Sequence, residues 1–461
     1  AAKDGDTIII NSSETIYDSA FYAIQKSLTI LPWTYRGVTV RSTSTNTVLR
    51  PDVDNVTIGA LIIDATITAG GLADGAIRGS FAKKGFKLRG AQLKSGTTYS
   101  LYWTGTCDVF DVETISQGAN KGQMTFGAAI PGAINVERLK SDGTVNVSAS
   151  VSDVDFSIVD SDVSVNASGL VRALRGTRAR SYRIERCSFA VEGTPTAQTV
   201  VITGSTAQAT VSVSIKNCSI RNGVASGITT GGYGIGVGGE AAGAGTFDEV
   251  LIEDNDVSHC NHGIFTGYGT SKARVRGNVV RDSVIGLIIK GASSGDVVHH
   301  HNIVVGGVLD GGALRNKGSA NGKFYNNLVV YDAASVAAGI FIYATDSTSA
   351  AEYSNNILYA PGLTCSKAVV VDGTSNIAAR SNLYNAGTFA ADAFGGGTWE
   401  SWAAVEAGAI SADPLFAGVG DYRLSQASPA IGAGVPGMMD RDFVGQPASN
   451  TNLGPITTPA I

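Results

Sequence analysis

The sequence predicts an all-β chain wound as a single-stranded parallel β-helix, and three observations carry that prediction. Glycine is abundant, at 58 of 461 residues, while charged residues make up only 16%. That composition suits strands joined by tight turns. Short runs rich in Val, Ile and Thr alternate apolar with polar residues and are broken by Gly, Asn, Asp and Ser, the pattern of half-buried strands. Above all, one unit recurs: an apolar residue, two variable ones, a small or amide residue, one variable residue and another apolar one.

The unit reads IERCSF, IKNCSI, IEDNDV, VRGNVV, HHHNIV, FYNNLV, YSNNIL and ARSNLY. Its fourth position falls on Cys187, Cys218, Asn255, Asn278, Asn302, Asn327, Asn356 and Asn382, at intervals of 23 to 37 residues. Such a period marks a solenoid, propeller or array. No leucine lattice and no 3.6-residue period is present, which leaves stacked β-coils rising about 4.8 Å each. The inward amides are expected to hydrogen-bond from coil to coil as a ladder. Cys187 and Cys218 take the same slot as small buried fillers. Upstream the unit is fainter and places Leu61, Ala91, Glu113, Leu139 or Glu137, and Ser161 near the rung.

In chain order, DGDTIII opens the first strand, the coils fill residues 1–390, and residues 391–461, with Trp399 and Trp402, form a capping extension. A cap is needed because a bare last coil is a reactive sheet edge. The formal net charge of −5 gives no basic footprint for nucleic acid. No apolar run approaches membrane-spanning length, and no signal peptide is visible. The cysteines Cys107, Cys187, Cys218, Cys260 and Cys365 form no CxxC pair, which argues against a finger-type zinc site.

The opening strand and the tail from Thr398 to Gly434, with its DPLF, DYRL and SPAI elements, resemble the right-handed parallel β-helix, pectate-lyase-like superfamily. That group includes polysaccharide lyases, glycoside hydrolases and phage tailspike depolymerases. The resemblance implies a right-handed coil and a polysaccharide substrate. It also implies a secreted or virion-associated setting, with a homotrimer as the form of a tailspike.

Strand alternation sends His299, His300 and His301 to opposite faces, so the three are not expected to share a metal. His300 is the one expected to reach a surface groove. His259 and His262 form only a weak metal signal. Aligned second strands give a more informative outward column of Arg175, Tyr268, Lys290, Lys317, Tyr343 and Asp372. Two residues earlier lie Thr266, Ile288, Arg315 and Phe341. Aromatic faces stack on sugar rings, and cations pair with carboxylate or sulfate.

A uronate lyase needs a base for the C5 proton, a group neutralising the carboxylate and a proton source for the leaving oxygen. A lysine can be the base where neighbouring cations favour its neutral amine. Lys290 followed by Arg315 one coil later resembles the Lys-then-Arg pair of the chondroitinase B and alginate lyase family. The resemblance implies Lys290 as base and Arg315 acting near the leaving oxygen. Lys317 and His300 complete the catalytic candidates, and Tyr268, Tyr343, Arg175 and Asp310 are the substrate-binding ones. No cofactor is expected; calcium, which such enzymes often use, finds no obvious acidic cluster. Two alternatives stand beside the lyase: a hydrolase using a carboxylate pair drawn from Glu240, Asp282 and Asp310, or a non-catalytic carbohydrate-binding spike.

Overall fold

The computed structural model describes residues 2–10, 16–19, 22–32, 38–42, 47–66, 75–79, 83–96, 99–116, 122–151, 153–166, 172–192, 198–204, 210–222, 232–239, 245–291, 295–306, 312–319, 321–331, 339–345, 350–365, 367–371, 376–389, 394–395, 408–418, 420–435 and 452–455. The chain forms two compact units, Ala1–Ser212 and Val213–Ile461. Each is a right-handed parallel β-helix in which successive strands pass in turn to three parallel sheets, here A, B and C. Each strand therefore pairs with the third strand after it, and a right-handed crossover is the sense that twisted strands favour.

In the second unit one coil consists of Lys272–Arg276 in sheet A, Val279–Arg281 in sheet B and Ile285–Lys290 in sheet C. The next consists of Asp296–His300, Ile303–Val305 and Leu314–Lys317. Sheet C ends with Phe394–Gly395, paired in parallel with Val369 and Val370. Inward Val, Ile, Leu and Phe fill the axis; Val275, His299, Phe324 and Tyr353 stand in one interior file.

The amide ladder is present. Asn278 donates its backbone N–H and side-chain amide to Asn302 Oδ1 at 3.1 and 2.9 Å, and Asn302 repeats the pair toward Asn327 at 3.0 and 3.0 Å. The same geometry joins Asn255 to Asn278, Asn327 to Asn356, and Asn356 to Asn382. Cys218 closes this run by donating its backbone N–H to Asn255 Oδ1. In the first unit the rung falls on Val38, Leu61, Ala91, Val112, Leu139, Ser161 and Cys187, as the backbone bonds from each following residue show. The sequence placed it on Glu113; the structure moves it one residue, to buried Val112, because Glu113 already starts the next strand and faces out.

The residue before each rung turns the chain from sheet A to sheet B through a left-handed conformation. Ala60, Gly90, Asp111, Arg138, Asp160 and Arg186 do this in the first unit, at φ of 49–62°. Asn217, Asp254, Gly277, His301, Asn326, Asn355 and Ser381 do it in the second, at 51–67°. Asn, Asp and Gly tolerate this region, so their prevalence follows. Arg138 and Arg186 enter it while held in two-pronged pairs with Asp111 and Asp160, at 2.7 and 3.0 Å in each case.

The C-terminal extension packs against the coils of the second unit. Ile410 continues sheet B beside Leu383. The chain then returns along the side of the coils, where Leu424, Ala430 and Leu453 cover an outer file of Ile303, Leu328, Ile357 and Leu383. Asn355 fastens this return, exchanging bonds with Val435 and accepting one from Gly454 N–H, while Asn326 donates to Asn452 O.

Candidate functional site

The outer face of sheet C in the second unit has an unusual charge distribution. Its strands Tyr233–Val237, His262–Thr266, Ile285–Lys290, Leu314–Lys317 and Ile340–Thr345 carry Lys290, Arg315 and Lys317 but no Asp or Glu. Sheet A of the same unit does carry acids, and it pairs them: Glu253 with Lys216 and Arg276, and Asp296 with Arg274 and Lys323.

Register fixes their arrangement. Lys290 stands directly opposite Lys317, and Arg315 stands opposite Ile288 on one side and Tyr343 on the other. Arg315 and Lys317 are two residues apart on one strand and so share a face. The three cations thus form one cluster on two adjacent coils. The Arg315 guanidinium lies over the Tyr343 ring, 4.8 Å from its centroid, and all four side chains are half-buried.

Glycine makes the cluster possible at two points. Gly291, directly after Lys290, has φ of 81°, and a Cβ there would lie 2.3 Å from the Tyr268 ring. Gly312 has φ of 97°, and a Cβ there would meet Tyr343 Cβ at 2.7 Å. The Lys-Gly dipeptide therefore ends the strand and admits Tyr268 against the backbone.

His262 belongs beside this cluster, although the sequence suggested it only as a metal partner for His259. Its ring is 5.0 Å from Tyr233, which stacks on Phe265 at 4.6 Å. Burial, followed by the charges of Arg315, Lys290 and Lys317, pushes His262 down to about 3, so it is a neutral imidazole at neutral pH. Its Nδ1 is buried without a hydrogen-bond partner among the described residues. The signal was the repeated aromatic or imidazole before glycine in YGIGV and HGIFT, which share a register.

Other expected residues lie elsewhere. Tyr343 is level with Arg315 rather than with Lys290 and Lys317, so the expected column is displaced by two residues there. Thr266 and Phe341 are buried, and Thr266 Oγ1 meets interior His299 Nε2 at 3.0 Å. Arg175 is exposed on sheet C of the first unit. Asp310, Glu240 and Asp372 lie outside the described residues.

His300 does not reach a surface groove: it is 3% exposed, on sheet A, with its Nδ1 3.0 Å from His301 Nδ1. Strict alternation had paired His301 with His299, but the left-handed turn at His301 breaks the alternation and brings it to His300 instead. His259, at another left-handed turn, faces Asp282 at 3.9 Å. Among the described residues no group of three or more His, Cys, Asp or Glu could hold a metal ion.

No protein-family profile and no curated protein sequence matches the chain. Solved structures similar to it include a PL6 alginate lyase in complex with a trisaccharide, at 12% identity and a TM-score of 0.32, covering 93% of this chain and 86% of that one. Another is the alginate lyase AlyF-OU02 in a ligand complex, at 11% identity and a TM-score of 0.34, covering 99% of this chain and 91% of that one.

Proposed function

We propose that the chain is a polysaccharide lyase that cleaves a uronate-containing glycan by β-elimination on the outer face of sheet C of its second unit. The supporting observation is the cluster of Lys290, Lys317 and Arg315 on a sheet face without carboxylates, flanked by Tyr343 and Tyr268. Clustered cations suit an anionic chain, and tyrosine rings beside them suit sugar faces.

In this reading Lys317 and the neighbouring cations hold the uronate carboxylate and stabilise the charge that develops on it. The Lys290 amine takes the C5 proton. The C5–H electrons form the C4–C5 double bond as the C4–O bond breaks; Arg315 donates hydrogen bonds to the departing oxygen, which takes a proton from water, and the Lys290 ammonium returns its proton to solvent. His262, neutral and half-buried, adds a polar wall without adding charge. A substrate of this class is an extracellular or capsular polysaccharide, which makes a secreted or virion-associated setting part of the proposal.

Incubation with uronate polymers tests the reading. A lyase creates absorbance near 235 nm from the unsaturated product. Reducing ends without that absorbance mean hydrolysis, and binding without either mark a carbohydrate-binding spike.

A further inference from the structure

Sheet C of the first unit repeats the charge pattern without repeating the cluster. Its strands Gly75–Arg78, Tyr99–Trp103, Gln123–Phe126, Val145–Ser148, Arg172–Thr177 and Gln198–Thr203 contain three arginines and no Asp or Glu, whereas the strand before them, Leu49–Pro51, holds Arg50 in a pair with Asp52 at 2.9 Å. The other sheets of that unit place acids beside their arginines: Arg41 pairs with Asp64, Arg138 with Asp111, Arg180 with Asp155, and Arg186 with Asp160. Among the described residues neither Arg78 nor Arg175 pairs with a carboxylate.

Register places Arg78, Tyr102, Thr125, Asn146 and Arg175 in one file across five successive coils. The Arg78 guanidinium lies 5.9 Å from the centroid of the Tyr102 ring, and Tyr99 meets that ring edge-on at 5.4 Å. At the far end Arg172 donates to the neutral Gln198 at 2.8 Å. Burial and then the charge of Arg175 lower its affinity for its proton. Two guanidiniums on one strand that carries no Asp or Glu suit an external anion.

We propose that this file is a second binding platform for an acidic glycan, separate from the Lys290 cluster, with the chain running along the file from Arg78 to Arg175. The coil rise of about 4.8 Å is close to the length of one sugar residue, so successive residues meet successive coils. Arg78 and Arg175 bind carboxylate or sulfate groups at the two ends, Tyr102 supplies a ring face, and Asn146 hydrogen-bonds hydroxyls between them, while the buried Thr125 only spaces the file. The proposal takes its ligand class from the reading of the Lys290 cluster as a uronate site, but it makes its own demand, on binding rather than on cleavage.

Electrophoretic retardation of the full chain in gels containing alginate, heparin or neutral dextran tests it. The double variant Arg78→Ala/Arg175→Ala should weaken retardation by alginate or heparin about tenfold, the loss expected for two charge-assisted contacts. Tyr102→Ala should weaken it less, and dextran should retard neither form. Alginate and heparin separate carboxylate from sulfate recognition. A melting temperature equal to that of the parent checks the fold. Unchanged retardation in the double variant, equal retardation by dextran, or no retardation of the parent by either polyanion overturns the platform. Loss of turnover in Lys290→Ala with intact retardation reports on the other site alone.

Discussion

The Arg315 guanidinium rests on the Tyr343 ring, 4.8 Å from its centroid and one coil away. A cation over a ring face is held electrostatically, and the contact gains strength where both groups are partly desolvated. The pairing orients the planar donor fork before any substrate arrives, which reduces the ordering cost of binding. Tyr343→Ala should therefore lower kcat/KM by about tenfold, whereas Tyr343→Phe, which keeps a ring face, should stay near the parent. Steady-state kinetics on a confirmed polymer check this. Equal losses in both variants would mean that the hydroxyl, not the ring, matters.

Asn302 is fully buried and accepts from both nitrogens of Asn278 while donating to Asn327 Oδ1 and to Val275 O. Asn302→Ala removes these together and orphans groups that water cannot reach. The expected loss is about 2–4 kcal/mol by denaturant titration. Asn302→Cys should lose less, because cysteine already fills the equivalent position at Cys187 and Cys218.

Leu453 is fully buried against the file that includes Ile357 and Leu383. Leu453→Asp places a charge on that apolar surface, and the cost of about 3 kcal/mol or more is avoided if the tail detaches. Limited proteolysis should then cut within the last 40 or so residues (about one-tenth of the chain) while the coils stay intact. A tail as resistant as the parent's would show that the outer file does not hold it.

Burial holds both His299 and His262 down to about 3, and His300 well below its usual value. Each folded value lies below the unfolded value near 6.5, so the unfolded chain takes up protons first as pH falls. Stability is full above pH 6.5 and declines from there toward pH 3, with a slope of about 1.4 kcal/mol per pH unit for each histidine. Urea midpoints across pH 4–8 should show this decline, and His299→Gln should make it shallower.

The winding and the amide ladder were legible because both follow from local rules. Inward positions must be apolar, and an inward Asn survives only with stacked partners. The rung was misplaced at Glu113 because Val112 and its neighbours carry no amide to mark it. His300 was misjudged for a different reason: sequence alternation cannot show the left-handed turn at His301 or the burial of the outer side of sheet A. The tail's docking surface did leave a trace. The residue after the rung is polar at Gln92, Glu113, Lys140, Asp162 and Ser188, with Ile62 an apolar exception, and from Val279 on it is apolar, at Ile303, Leu328, Ile357 and Leu383. That change marks the outer file that the tail covers. Lys290, Arg315 and Lys317 were singled out by their outward spacing. His262 escaped because its partners are set by register across coils, which sequence distance does not reveal.

The most direct test of the account is absorbance near 235 nm during incubation with a panel of uronate polymers, run in parallel on the parent chain, Lys290→Ala and Arg315→Ala. The account predicts a steady rise for the parent on at least one polymer and a loss of about a thousandfold or more in both variants, each with parental melting temperature. A rise that persists unchanged in Lys290→Ala and Arg315→Ala, or reducing-end release with no absorbance change, would contradict it.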